Sequence, residues 1–194
     1  MLNKDALDTL FTQARSHNGW LDTPVSEVQI KEIYELMKFG ATAANTCPAR
    51  ITFITSETAK NKLKMHLDKG NIEKSMRAPV VAIISYDTEF YDKLNILFPH
   101  EPDARSWYAG KPEKIKSVGE MNATLQGAYL MLAARAVGLD CGPMGGFNAE
   151  TLDQEFFPDG KAKTIFICGI GHGDESKLFP RSPRLSFDEA CKII

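Results

Sequence analysis

Five stretches of this sequence carry side chains of the types that hold anions or flat ligands. Arg15-Ser16-His17-Asn18 crowds a guanidinium, a hydroxyl and two further polar groups into four residues. Arg181 and Arg184 stand in a stiff segment set out by Pro180 and Pro183. A guanidinium presents a charged fork of donors that matches phosphate oxygens. Asn71 and Lys74 are three residues apart, so on a helical turn a carboxamide and an ammonium face the same way. Thr42-Ala43-Ala44-Asn45 offers small side chains that leave room for a planar ligand, with Asn45 as both donor and acceptor. Gly142-Pro143-Met144-Gly145-Gly146-Phe147 has three glycines and a proline in six residues, a poor helix and a poor strand. Without Cβ atoms its backbone can come close to a ligand, as a cradle would. Each stretch alone also suits a plainer role: a solvated helix end, a compact connection or a turn.

Other chemistries lack their residues. No serine, histidine and aspartate set and no carboxylate pair stands out for acid–base work. The cysteines at 47, 141, 168 and 191 form no C-x-x-C pair, and the four histidines are scattered, so neither a metal site nor a disulfide framework is expected. That cysteine usage fits a reducing cytoplasm. A formal net charge of -2 without acidic or basic blocks gives no reason to expect nucleic acid or an anionic membrane as partner. No run approaches the roughly 18 apolar residues of a membrane span, and Met1-Leu2-Asn3-Lys4-Asp5 leads into no apolar signal core. Residues 1–194 are expected to share one core and form one domain.

The elements that must position these stretches are legible in part. Asn3 caps an expected helix to Ala14, with Leu7, Leu10, Phe11 and Ala14 as its apolar stripe. Ser26 and Gln29 make a capping box, and Val25 and Ile30 a staple, for a helix ending near Gly40. Ile51–Thr55 reads as a strand, Ser56–Leu67 as a helix, and Ala78–Ser85 as a central strand apolar on both faces. Thr88–Lys116 is irregular and aromatic, suited to a lid, an excursion packed on the core, or a contact with a second subunit. Ser117 and Glu120 read as a second capping box, opening a helix to Val137 that is apolar nearly all round in its second half. Asn148 caps a short helix, and Thr164–Gly171 is the last strand. Gly169, Gly171 and Gly173 alternate along its exit without a dinucleotide fingerprint. Ser186 and Glu189 cap a final turn.

In their order along nearly the whole chain, the five stretches resemble the FMN-dependent nitroreductase family. His17-Asn18-Gly19-Trp20, Leu97-Phe98-Pro99-His100, Asp103-Ala104-Arg105-Ser106-Trp107 and Pro183-Arg184-Leu185-Ser186-Phe187 resemble the branch of malonic semialdehyde reductases that serve pyrimidine degradation. The resemblance implies an α+β fold, a mixed, mainly antiparallel central sheet surrounded by helices, in an intertwined homodimer with FMN at the interface. By position, Arg15, Ser16, Arg181 and Arg184 would hold the FMN phosphate, with Asn18 where many relatives carry a basic residue. Asn71 and Lys74 would face the isoalloxazine edge, and Thr42, Ala43 and Asn45 would reach the flavin from the partner. Pro143, Met144, Gly145 and Gly146 would lie along the ring, Gly145 where several relatives carry glutamate. The implied activity is hydride transfer from NADPH or NADH through flavin N5, reducing malonic semialdehyde to 3-hydroxypropanoate. Reduction of nitroaromatics, quinones or enones is the alternative acceptor chemistry, and a flavin carrier or sensor without turnover is a second alternative. Arg50 and Arg105 are the residues marked to hold an anionic acceptor.

Overall fold

The computed structural model of the chain describes residues 1–194. Its centre is the β-branched run expected to be buried on both faces. Strand β2, Val80–Asp87, is buried along all but its last residue. Strand β1, Ala49–Ile54, lies along one side of it and strand β4, Ala162–Gly171, along the other. Strand β3, Asp140–Met144, closes the order β1-β2-β4-β3, and every neighbouring pair is antiparallel. The expected mixture of directions is thus absent from the sheet itself. The only parallel pairing is an isolated bridge between Ser16 and Cys141.

Helices cover both faces. Helix α1, Lys4–Leu7, is capped by the Asn3 side chain, which accepts from the Ala6 N–H, but it passes into a π-helical turn, Asp8–Thr12. The single helix expected to Ala14 is therefore broken, and Leu7 and Phe11 of its stripe stay exposed. Helix α2, Glu27–Met37, starts at the Ser26–Gln29 capping box as expected. Helix α3, Glu57–Lys64, and helix α4, Lys69–Arg77, follow β1. The Asn71–Lys74 turn is thus part of a nine-residue helix.

The aromatic excursion is built from short pieces: a 3-10 turn Phe90–Lys93, helix α5 at Leu94–Leu97 and a 3-10 turn Ala104–Trp107. They enclose a small core of their own around Phe90, Leu94, Ala104 and Tyr108. Helix α6, Pro112–Ala136, begins earlier than the second capping box would have it. Pro112 in its first turn needs no N–H partner, and Ser117 and Glu120 lie inside the helix. Helix α6 packs on α2 and the sheet, placing Leu130, Ala133 and Ala134 in one core with Val80, Ala82 and Ile84. Helix α7, Ala149–Phe156, takes Asn148 as its N-cap, and helix α8, Phe187–Ala190, uses the Ser186–Glu189 capping box. All four cysteines are free thiols. No helix is long and apolar enough to cross a membrane.

Candidate functional site

Two polar clefts meet at Asn18. The first, of about 670 Å³, lies between the turn after the π-helix, the C-terminal tail and the last turn of α6. Arg15, Ser16, Asn18, Arg181 and Arg184 all line it, so the two ends of the chain are brought together as expected. Arg135, at the end of α6, adds a fourth guanidinium, and no carboxylate lines the cleft. Each of three arginines is braced by a carbonyl across the cleft. Arg15 Nη2 donates to the Phe179 oxygen at 2.5 Å, Arg181 Nη2 to Ala14 at 3.0 Å and Arg135 Nη1 to Leu10 at 3.0 Å. None of the four is in an ion pair, so their positive field is not cancelled locally, although the chain as a whole is slightly acidic. Guanidinium donors on several sides with no competing anion match a phosphate group. Arg135 was missed by sequence reading because a basic residue in a helix's last turn is explained by the helix dipole alone.

The second cleft, about 460 Å³, is lined by Asn18, Trp20, Lys74, Arg77, Asp174 and Lys177 among others. The Lys74 ammonium makes one long contact, 3.4 Å to Asn18 Oδ1, and no carboxylate pairs with it. Burial holds its pKa below the ordinary lysine value. A cation that has lost water and gained no counter-ion is suited to meet an anionic or electron-rich ligand.

Asn71 points to the strand edge rather than to Lys74's cleft: its Nδ2 donates to the Gly146 carbonyl at 2.7 Å. Pro143 and Met144, expected in a loop, belong to β3, with Pro143 opposite Cys168 and Met144 opposite Ile167. The proline is tolerated because β3 is an edge strand whose outer side needs no donor. Met144 turns inward, and its sulfur accepts from the buried Ser75 hydroxyl at 3.5 Å. Only its backbone is left for a ligand. Gly145 is open, with nothing within 4 Å of a notional Cβ. At Gly146 a Cβ would fall 2.6 Å from Asn71 Nδ2 and 2.7 Å from Asp68 Oδ2, so the close approach there requires glycine.

Thr42, Ala43 and Asn45 line neither polar cleft. They form a tight turn near a third, apolar cavity of about 630 Å³ that includes Tyr34, Phe39, Asn45, Cys47 and Leu97. Ala44, Asn45 and Cys47 adopt φ of 48°, 47° and 40°. Each such left-handed residue costs about 1–2 kcal/mol. The turn is over-determined by three bonds: Ala43 N–H to Asn122 Oδ1 at 2.7 Å, Asn45 Nδ2 to the Leu97 carbonyl at 2.8 Å, and Cys47 N–H to Thr42 Oγ1 at 3.2 Å. Such strain persists only where the surroundings over-determine it, as these three bonds do. Arg50 pairs with Asp87 at 2.5 Å and Arg105 with Asp92 at 2.8 Å, so both guanidinium groups marked for an anionic acceptor are already committed to carboxylates.

The chain thus combines a helix-covered antiparallel sheet, an arginine cleft without carboxylates and a glycine edge on the outermost strand. The family model described as "Nitroreductase family" matches residues 12–172. The chain belongs to the nitroreductase family. It is 52% identical over 193 residues to a protein of Ralstonia nicotianae provisionally named NADH dehydrogenase/NAD(P)H nitroreductase, covering 100% of this chain and 98% of that one. It is 54% identical over 191 residues to HadB of Ralstonia pickettii, which carries the same provisional name, covering 97% of each. Among solved structures, a provisionally assigned nitroreductase of Exiguobacterium sibiricum in complex with FMN superposes with a TM-score of 0.87 at 19% identity, over 100% of this chain and 99% of that one. An enone reductase of gut-bacterial fatty acid saturation metabolism superposes with a TM-score of 0.84 at 16% identity, over 100% of each chain. At those identities the superpositions establish the fold.

Proposed function

We propose that the protein is an FMN-dependent NAD(P)H oxidoreductase. The observation that carries this reading is the arginine cleft free of carboxylates, joined through Asn18 to the unpaired, desolvated Lys74. The name shared by the Ralstonia relatives and the FMN in the Exiguobacterium structure support it. Arg15, Arg135, Arg181 and Arg184, with Ser16, hold the cofactor phosphate. Asn71 fixes the Gly146 peptide, and Lys74 sets a positive charge at the ring's electron-accepting edge, where it favours the reduced state. Bound FMN supplies hydride exchange between a nicotinamide nucleotide and an acceptor that use one face in turn.

Thr42, Ala43 and Asn45 lie outside both polar clefts of their own chain, and their strained turn has no ligand-facing role there. In this reading a second copy brings them to the ring. Phe39 on the α2 end, Met121 and Leu125 on α6, and Phe179, Leu185 and Phe187 on the tail are exposed apolar groups that a homodimer would cover.

Two acceptor chemistries compete. The resemblance of sequence stretches points to malonic semialdehyde, reduced to 3-hydroxypropanoate. The ion pairs at Arg50 and Arg105 leave neither of the marked cations for its carboxylate, and the relatives' name favours nitroaromatic or quinone acceptors. We place the neutral acceptors first. The experiment is parallel titration of the apoprotein with FMN and riboflavin, then anaerobic addition of NADPH or NADH followed by each acceptor. The reading requires that FMN bind more tightly than riboflavin, that Arg181→Ala remove the difference, and that the flavin band bleach and recover. A protein that does not discriminate the phosphate ends it. A band that never bleaches leaves a flavin carrier. Recovery with malonic semialdehyde alone reverses the order of acceptors.

A further inference from the structure

The alternating glycines at the exit of β4 are explained by what lies across them. Gly142 on β3 pairs in register with Gly169 on β4, and Gly171 follows two residues on, on the same face. A Cβ at Gly169 would stand 2.6 Å from Trp20 Cζ2, whereas one at Gly171 would first meet Pro79 Cδ at 2.6 Å and one at Gly142 the His17 carbonyl oxygen at 2.2 Å, with the indole further off at 3.2 Å and 3.3 Å. Gly169 opens a slot that the Trp20 indole fills at 5% exposure, with Gly142 and Gly171 at its margins. Trp20 also bridges to Gly173, and the Leu21 N–H donates to the His172 carbonyl at 2.8 Å, so the segment is fastened to the sheet.

From that slot the indole N–H reaches out to one acceptor. Trp20 Nε1 donates at 2.9 Å to the main-chain carbonyl of Lys74, which also accepts from the Ala78 N–H at 3.2 Å. Two residues earlier on the same segment, Asn18 Oδ1 receives the Lys74 ammonium. One short segment thus grips Lys74 at both ends, its carbonyl through Trp20 and its ammonium through Asn18. A tryptophan placed only to fill space would not need its N–H on that residue, since other carbonyls of the helix end are equally in want of donors.

We propose that Trp20 is the positioning residue for Lys74: seated in the glycine slot, it fixes the height of α4 against the sheet and so the distance of the Lys74 charge from the bound flavin. The inference rests on the FMN reading above. It makes Gly169, which seats the indole, part of the cofactor's electrostatics, although it is not placed against the ligand.

The test is Trp20→Phe, which keeps an aromatic ring in the slot and deletes the donor. The readout is the preference of the protein for reduced over oxidised FMN, measured as the midpoint potential of the bound flavin, in wild-type and Lys74→Met backgrounds. Withdrawal of the Lys74 charge by about half an ångström predicts that this preference falls roughly twofold in Trp20→Phe, toward the value of Lys74→Met. In the Lys74→Met background the same substitution should change it no further, because the charge it positions is gone. An unchanged potential in Trp20→Phe overturns the proposal, and so does an equal shift in both backgrounds. Wild type that fails to bind FMN overturns the functional reading and this inference with it, whereas wild type that binds FMN and a Trp20→Phe protein of unchanged potential overturn this inference alone. Should Trp20→Phe not fold, indole hydrogen exchange in the wild type takes its place. Protection of the Trp20 N–H, against rapid exchange at Trp107, supports the contact, and rapid exchange at both removes it.

Discussion

Replacing Gly146 by alanine tests the cradle at its tightest point. The added Cβ would lie 2.6 Å from Asn71 Nδ2, 2.7 Å from Asp68 Oδ2 and 3.3 Å from Asp68 Cβ. Two bonds converge on the same peptide, from Asn71 Nδ2 at 2.7 Å and from the Asp68 N–H at 3.1 Å. The Asp68 carboxylate caps nothing and can rotate away, but the Asn71 carboxamide cannot move without giving up its bond. Swinging Asn71 away loses one net hydrogen bond, about 0.5–1.5 kcal/mol. Shifting the peptide instead is overpacking, about 1–3 kcal/mol. The apoprotein should therefore lose about 1–3 kcal/mol, which in a domain of this size lowers Tm by roughly 2–10 °C. FMN affinity should fall as well, since the displaced carboxamide is the group that fixes the cradle. Gly145→Ala is the matched control: its Cβ meets nothing within 4 Å, so both Tm and FMN affinity should stay at wild-type values. Thermal melts of the apoproteins and quenching of flavin fluorescence on binding give the two numbers. A Gly146→Ala protein with the melt and the FMN affinity of wild type would refute the account of this edge, as would a Gly145→Ala protein that loses both.

Further outcomes follow from the same geometry. If the cleft that Arg135 lines holds only the phosphate, as proposed, Arg135→Gln should weaken FMN binding about three- to tenfold at low salt and leave riboflavin binding unchanged; titrations with both ligands check it. Lys74 gives a pH dependence of known sign: burial lowers its pKa from 10.5, so in the apoprotein holding the charge is unfavourable, and stability rises slightly as pH climbs through the lowered pKa. A flavin favours the ammonium, so affinity for reduced FMN should run the other way. It should be full below that pKa, fall as pH rises through it, and give a flat profile in Lys74→Met. Ser26→Ala should cost about 1 kcal/mol of stability, since its side chain accepts from the Gln29 N–H, whereas Ser117→Ala inside α6 should stay within about 0.5 kcal/mol. Thermal melts of the two variants should separate them.

The contrast between those two serines shows where local pattern is a sufficient guide. Ser26, Asn3 and Asn148 each cap the helix that the pattern assigns to them, because nothing upstream competes for the start. Before Ser117 there is a stronger start, Pro112, and the helix absorbs the second signal. The central strand was legible because an unbroken β-branched run has only one comfortable home, a sheet interior. Strand β3 was not, because Gly142 and Pro143 argue against any strand, and it exists only where an edge position beside Gly169 and Cys168 tolerates both. The break after Leu7 into a π-helical turn leaves no mark in an apolar spacing that fits an unbroken helix equally well.

The site divides along the same line. Arg15, Ser16, Asn18, Arg181 and Arg184 were found because their chemistry is concentrated in sequence, and the fold then brings the two ends of the chain to one cleft. Arg135 and Trp20 contribute through partners more than fifty residues away in sequence, Leu10 and Lys74, so no local window contains the reason for them. The glycines of β4 carried that information in a form that could not be decoded without the third dimension. Gly169, Gly171 and Gly173 each leave room for a different neighbour, Trp20, Pro79 and His17, and those neighbours are identified only when the fold brings them to the strand. Positions that accept a ligand can be read from side-chain chemistry, whereas positions that hold those acceptors in place are written as absences of side chain. Gly142, Gly146 and Gly169 belong to the second kind, which makes substitution at these glycines, rather than at the arginines, the sharper probe of how the site is assembled.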